Sequence, residues 1–124
     1  MVEVSYRDPR PLYEQVRDAY REQILAGALP PGTQMPSVRE LSARLAINPN
    51  TIQRAYRELE QEGWIGSVRG KGSFVADPTD AGKARREELL QELDRVAREL
   101  RTLGCTTDDL AKRIQEGDGG NDDR

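Results

Sequence analysis

The side chains best placed for chemistry lie between Asn48 and Arg57. Asn48 and Pro49 suit a helix start, as an N-cap and a first helical residue that needs no N–H partner. Along the helix that follows, Ile52, Ala55, Tyr56 and Leu59 recur at i, i+3, i+4 and i+7 and mark a buried face. The opposite stripe holds Asn50, Gln53, Arg54 and Arg57, with Thr51 beside it. Amides and hydroxyls at this spacing can hydrogen-bond base edges, and guanidinium groups can hold phosphates. The helix is expected to run to about Glu62 and stop at Gly63.

The elements around this helix follow from similar local signals. Ser37 and Glu40 form an S-x-x-E capping box opening a short helix with Val38, Leu41 and Leu45 on its apolar side. Arg39 lies off that side. Two short helices joined by a very tight link, the second with a polar and basic face, make a helix-turn-helix pattern. Trp64 to Ser67 and Ser73 to Val75 then read as two strands around Arg69-Gly70-Lys71-Gly72. The hairpin is a wing: its glycines permit close backbone approach to a duplex, and Arg69 and Lys71 bring positive charge. Upstream, Pro11 opens a support helix to about Ala26, with Leu12, Val16, Ala19, Tyr20 and Ile24 on one side and Glu14, Arg17, Asp18 and Arg21 on the other. Residues 1–10 read as a polar N-terminal arm, and Tyr13, Tyr20, Tyr56, Trp64 and Phe74 as core aromatics.

In these residues the chain resembles the GntR family of bacterial transcription regulators. The runs PSVRELSARL, NPNTIQRAYRELEQEGWI and RGKGSFV resemble its winged helix, while PLYEQV and the short helical tail resemble its small YtrA-like branch. The resemblance spans about Pro11 to Ile114 and implies double-stranded DNA as partner. It matches Arg39 to a family position that touches DNA. The place of Asn48, Asn50, Thr51 and Gln53 at the start of the second helix reads as major-groove contact, Arg54 and Arg57 as phosphate clamps, and Ser37 as a secondary phosphate contact. Arg69, Lys71 and Gly72 follow at the wing tip, which borders the minor groove in the family. It also implies that Thr33 to Met35 packs as a short strand beside the wing. Gln53 stands where the family often carries a basic residue. A plainer reading accompanies several positions: Ser37 and Asn48 as caps, Asn50 and Arg39 as solvated surface, Arg57 paired with Glu58 or Glu60.

After the linker Ala76-Asp77-Pro78-Thr79-Asp80 a long helix is expected from about Asp80 to Leu103. Leu89, Leu93, Val96, Leu100 and Leu103 are spaced four, three, four and three, a heptad seam. Gly104 suits the residue after a helix end, and a last short helix carries Leu110 and Ile114. The two helices have more apolar surface than they can bury on each other, so residues 80–115 read as a dimerisation tail that a second copy covers. Residues 116–124 read as a disordered acidic tail. The fold class is therefore mainly α with a small β wing, a winged helix-turn-helix over residues 11–76 followed by a C-terminal two-helix dimerisation hairpin.

Composition narrows the function classes. The 124 residues contain one cysteine and no histidine, which removes an intrachain disulfide, Ser-His and Cys-His nucleophile pairs, and Cys/His zinc sites. No cofactor, metal or catalytic residue is assigned, and the chain does not read as an enzyme. The net charge of −3 is unevenly spread. Residues 37–75 carry six basic residues against four acids, whereas residues 116–124 carry four acids against one arginine. Local charge governs phosphate binding, because screening acts within about 10 Å at moderate salt. No run approaches the roughly 18 apolar residues of a membrane span, and the first residues lack a signal-peptide pattern, so the expected location is the cytoplasm. The expected function is sequence-specific DNA binding by a homodimeric regulator, a repressor acting on inverted-repeat operators, with no small-molecule effector assigned. The alternative is a winged-helix module that binds protein.

Overall fold

A computed structural model describes the backbone of residues 2–122. It divides into two units, Met1–Ala84 and Arg85–Arg124.

The first unit is built around a helix that is apolar on one side only. Its elements are α1 (Leu12–Leu25), α2 (Val38–Leu45), α3 (Pro49–Gln61), β1 (Ile65–Val68) and β2 (Gly72–Val75). Ile52, Ala55, Tyr56 and Leu59 of α3 are buried, meeting Val16, Tyr20 and Ile24 of α1 and Leu41 of α2 in one core. A fully buried aliphatic side chain such as Ile52 or Leu59 contributes about 1.5–3 kcal/mol. The Tyr20 and Tyr56 rings meet edge to face at 6.0 Å, and the Tyr56 hydroxyl donates to the Pro36 carbonyl at 2.7 Å. Burial, then the neighbouring Tyr20, pushes the Tyr56 hydroxyl pKa far up, so it stays a neutral donor.

The link between α2 and α3 is tight because Ala46 adopts a left-handed conformation (φ 55°, ψ 47°) and the buried Ser42 hydroxyl donates to the Ile47 carbonyl. Asn48 then caps α3, its side chain accepting from the Asn50 N–H at 2.8 Å, with Pro49 in the first turn. β1 and β2 pair antiparallel with Ile65 opposite Val75 and Val68 opposite Gly72. The segment before α2 joins this hairpin. Gln34 bridges Phe74, the Met35 N–H donates to the Ser73 carbonyl at 2.8 Å, and the Val75 N–H donates to the Thr33 carbonyl at 2.8 Å.

The N-terminal residues, read from the sequence as a polar arm, are tied to the rest of the first unit. Val2 is buried in the core, and the buried Gln15 side chain accepts from the Ser5 N–H at 2.8 Å and donates to the Ser5 and Arg10 carbonyls at 3.0 Å each. Composition suggests an arm; one amide supplying both donor and acceptor ties it down.

The second unit holds most of α4 (Lys83–Thr102) and α5 (Thr107–Asp122). Thr106 and Asp109 cap α5 reciprocally, the Thr106 N–H donating to Asp109 Oδ2 at 2.9 Å and the Asp109 N–H to Thr106 Oγ1 at 3.1 Å. α5 is helical to Asp122, past the residue 116 at which the sequence suggests disorder. Glycine lowers helix propensity by about 1 kcal/mol yet keeps its N–H, so the helical ladder can continue. Residues 123 and 124 of that expected tail lie outside the described residues. Leu89, Leu93, Val96, Leu103 and Ile114 are exposed in the single chain, and Leu100 and Leu110 are half-buried.

Candidate nucleic-acid interface

The face of α3 opposite its buried stripe is open. Asn48, Asn50, Gln53, Arg54 and Arg57 are exposed, and Thr51 is half-buried. Asn48 does serve as a cap, so its side-chain oxygen is already engaged. Arg57 forms no ion pair among the described residues, unlike the plainer reading that paired it with Glu58 or Glu60. Glu58 instead accepts from Arg17 Nη1 of α1 at 2.7 Å, and Glu62 pairs with Arg21. These two bonds fasten α1 to α3 on the side away from the core. Burial disfavours the Arg17 charge, but Asp18 and Glu58 outweigh it and hold the Arg17 pKa above its ordinary value.

Arg54 is placed by a neighbour that sequence reading assigned to the core. Its guanidinium carbon lies 3.7 Å over the Tyr13 ring centroid, its Nη2 donates to the Tyr13 hydroxyl at 3.1 Å, and its Nε stands 3.6 Å from Glu58 Oε2. Tyr13 is only half-buried, as is Phe74; Tyr20, Tyr56 and Trp64 are the aromatics inside the core.

At the start of α2 the capping box is complete. The Glu40 N–H donates to the Ser37 hydroxyl oxygen at 3.0 Å and the Ser37 N–H donates to Glu40 Oε1 at 3.0 Å. The Ser37 backbone N–H, then its side chain, hold the Glu40 carboxyl below its ordinary range. Arg39 is exposed on α2 and makes no ion pair among the described residues.

The wing tip is held from below. The Lys71 N–H donates to the Val68 carbonyl at 2.9 Å, closing the turn, and Gln34 Nε2 donates to the Lys71 carbonyl at 3.0 Å. Gly72 has φ 110°, a backbone conformation that favours glycine, and a Cβ there would meet Gln34 Nε2 at 3.4 Å, within ordinary contact range. Arg69 and Lys71 are exposed. Sequence reading missed Gln34 and Tyr13 as bracing side chains; their partners lie 37 and 41 residues away in sequence, beyond any local periodicity. Among the described residues, no group of three or more His, Cys, Asp or Glu could hold a metal ion, and no helix is long and apolar enough to cross a membrane.

Residues 12–75 match the family described as bacterial regulatory proteins, gntR family. The chain is 32% identical over 118 residues to the HTH-type transcriptional repressor YtrA of Bacillus subtilis (strain 168), spanning 94% of this chain and 91% of that protein. Its fold is similar to the crystal structure of a transcriptional antiterminator from Listeria monocytogenes EGD-e, with a TM-score of 0.74 and 32% identity over 95% of this chain and 90% of that one. It is also similar to the AraR DNA-binding domain in complex with operator ORE1, with a TM-score of 0.52 and 29% identity over 61% of this chain and 93% of that one.

Proposed function

The chain belongs to the GntR family of bacterial regulatory proteins, as a DNA-binding transcription regulator of the small YtrA-like kind, and from that premise we propose that it works as a homodimeric repressor. Two α3 helices related by a two-fold axis enter successive major grooves of an inverted repeat, with half-sites about 34 Å apart. In this reading Asn50, Thr51 and Gln53 face base edges. Ser37, Arg39, Arg54 and Arg57 hold phosphates, with Asn48 capping the helix that carries the readers. Arg69, Lys71 and Gly72 bring the wing to the neighbouring groove. Repression follows from occupancy of promoter DNA in the cytoplasm and needs no reaction.

The observation that supports this most directly is the exposed polar stripe of α3 on a helix whose other face is buried. Pairing of two copies is supported by the seam Leu89, Leu93 and Val96, which stays exposed in the single chain. Leu100, Leu103, Leu110 and Ile114 extend it. An apolar row of this period matches a second helix better than it matches water.

Fluorescence anisotropy with promoter fragments across a salt series tests the DNA reading. The expected result is a fragment bound well above random duplex, with affinity falling steeply as salt rises. Equal binding to all fragments, or no salt dependence, would overturn it. Light scattering on Leu93→Asp tests the pairing: a dimer for the parent and a monomer for the variant are expected, and a monomeric parent refutes it.

A further inference from the structure

The geometry points to Tyr13 as a positioning residue for DNA binding: its ring and hydroxyl hold the Arg54 guanidinium in place while leaving its charge free for a phosphate. The inference rests on the proposal that α3 meets duplex DNA, and extends it to a residue on another helix.

Three observations carry it. The first is the double hold. The guanidinium carbon stands 3.7 Å over the Tyr13 ring centroid, and Nη2 also donates to the hydroxyl at 3.1 Å. That hydroxyl in turn donates to Glu14 Oε2 at 3.3 Å, which fixes its proton and leaves a lone pair for Arg54. The second is the competing carboxylate. Glu58 is the acid nearest Arg54, but its short bond, 2.7 Å, goes to Arg17, and Arg54 Nε stands back at 3.6 Å. The third is exposure: the Arg54 side chain remains 56% exposed despite these contacts, so part of the fork still faces solvent.

The chemistry of the holding group decides what the arrangement can do. A carboxylate that fixed Arg54 would neutralise it and compete with phosphate for the same N–H groups. An aromatic face attracts the cation through its quadrupole without carrying a net charge. Arg54 is therefore ordered in advance chiefly by a neutral ring, with a carboxylate oxygen no nearer than the shared Glu58 Oε2 at 3.6 Å. Ordering a long side chain before binding removes part of the entropic cost that phosphate capture otherwise incurs. The Arg54 Nη1 group has no partner among the described residues and is the edge left to donate.

The experiment is a double-mutant cycle in the full chain, read by anisotropy with a mixed-sequence duplex long enough for two half-sites. A phosphate clamp acts on any sequence, so no operator is needed. Tyr13→Leu keeps apolar bulk and removes the ring and hydroxyl; Tyr13→Phe keeps the ring alone. Arg54→Ala is expected to weaken binding and to lower the slope of log affinity against log salt by about 0.9 per site. Tyr13→Leu is expected to weaken binding by about two- to fivefold when Arg54 is present and to have no effect when it is Ala, with Tyr13→Phe in between. An equal loss in both backgrounds would mean that Tyr13 touches DNA itself, and would overturn the positioning role, as would no loss in either.

A second readout needs no DNA. The Arg54 side-chain protons should show an upfield ring-current shift in the parent that Tyr13→Leu abolishes and Tyr13→Phe retains; an unchanged spectrum refutes the stacking. Failure of the parent to bind any duplex would overturn the DNA reading, and the positioning role with it. Binding by the parent without coupling between the two residues would overturn the positioning role alone.

Discussion

Arg17 of α1 and Glu58 of α3 meet at 2.7 Å with only 16% and 27% of their side chains exposed. The bond joins the support helix to the helix that carries the candidate readers, and it engages Glu58 Oε1 while Oε2 stands 3.6 Å from Arg54 Nε. Removing either partner leaves the other half-buried with one counter-charge fewer, Asp18 remaining beside Arg17 and Arg54 near Glu58. Arg17→Ala is expected to lower unfolding free energy by about 1.5–3 kcal/mol. The double variant Arg17→Leu/Glu58→Leu should cost less than the two single leucine changes together, as expected for residues in direct contact. Urea denaturation of the four proteins measures this; strict additivity would mean that the pair is not coupled.

The pH response should be confined to acid. Hydrogen bonds from the Ser37 backbone, then its side chain, depress the Glu40 carboxyl from its ordinary 4.5. The Arg10 side chain and backbone do the same for Asp8, the Thr79 side chain and backbone for Asp77, and the Thr106 backbone and side chain for Asp109, each from 3.8. A carboxyl with a lower pKa in the folded state stabilises at neutral pH, and that contribution is lost as pH falls from the unfolded value through the folded one. With no histidine in the chain, the urea midpoint should stay level between about pH 5 and 8 and fall below about 4.5. Glu40→Gln should reduce the acid slope; a slope unchanged by it would show that the capping carboxylate contributes nothing there.

Gly82 packs where a side chain cannot. It has φ 73°, and a Cβ would stand 2.8 Å from Cζ2 of Trp64. Gly82→Ala is expected to destabilise by at least about 1–3 kcal/mol from backbone strain, with the steric conflict added. Trp64 is the single tryptophan, so its emission should shift in the folded variant. Gly104, with φ 102° and open space at its Cβ position, is the control for backbone strain alone. Equal effects at both positions would remove the Trp64 contact from the explanation.

Gln53 and Lys71 should separate reading from holding. Gln53→Ala is expected to reduce discrimination between operator and random DNA by about 1–3 kcal/mol, with the salt slope kept. Lys71→Ala should weaken binding to both and lower the slope by about 0.9 per site lost. Competition anisotropy at several salt concentrations distinguishes them. The reverse pattern would exchange the proposed roles of α3 and the wing.

Much of this architecture was legible because it rests on short-range chemistry. The Ser37–Glu40 cap, the Asn48-Pro49 start and the period of Ile52, Ala55, Tyr56 and Leu59 each act within two turns of chain, and α2 and α3 form where those signals place them. The hairpin differs only in its ends, since pairing extends to Val68 and Gly72 around the turn. What stayed hidden depends on groups far apart in sequence. Nothing near Val2 marks it as buried, because the anchor is the Gln15 amide beside the backbone of Ser5 and Arg10. Nothing near Tyr13 shows that Arg54 will lie across it, because that meeting exists only once α1 and α3 have packed. Core positions can be read from a repeating pattern; pairings between polar faces of different helices have no such period.

The strand-like segment at Thr33 to Met35 bonds along β2 and leads directly into the Ser37 cap, while β1 follows closely on the end of α3. Hairpin and helix pair are thus two jaws of one caliper, closed on both sides by main-chain bonds. A duplex gripped by both must offer grooves at the span this caliper sets. Under the proposed reading, a duplex whose own step geometry differs would have to bend to meet both jaws. Base steps lying between the jaws, which no side chain reaches, would then help decide how tightly a given stretch of genome is held.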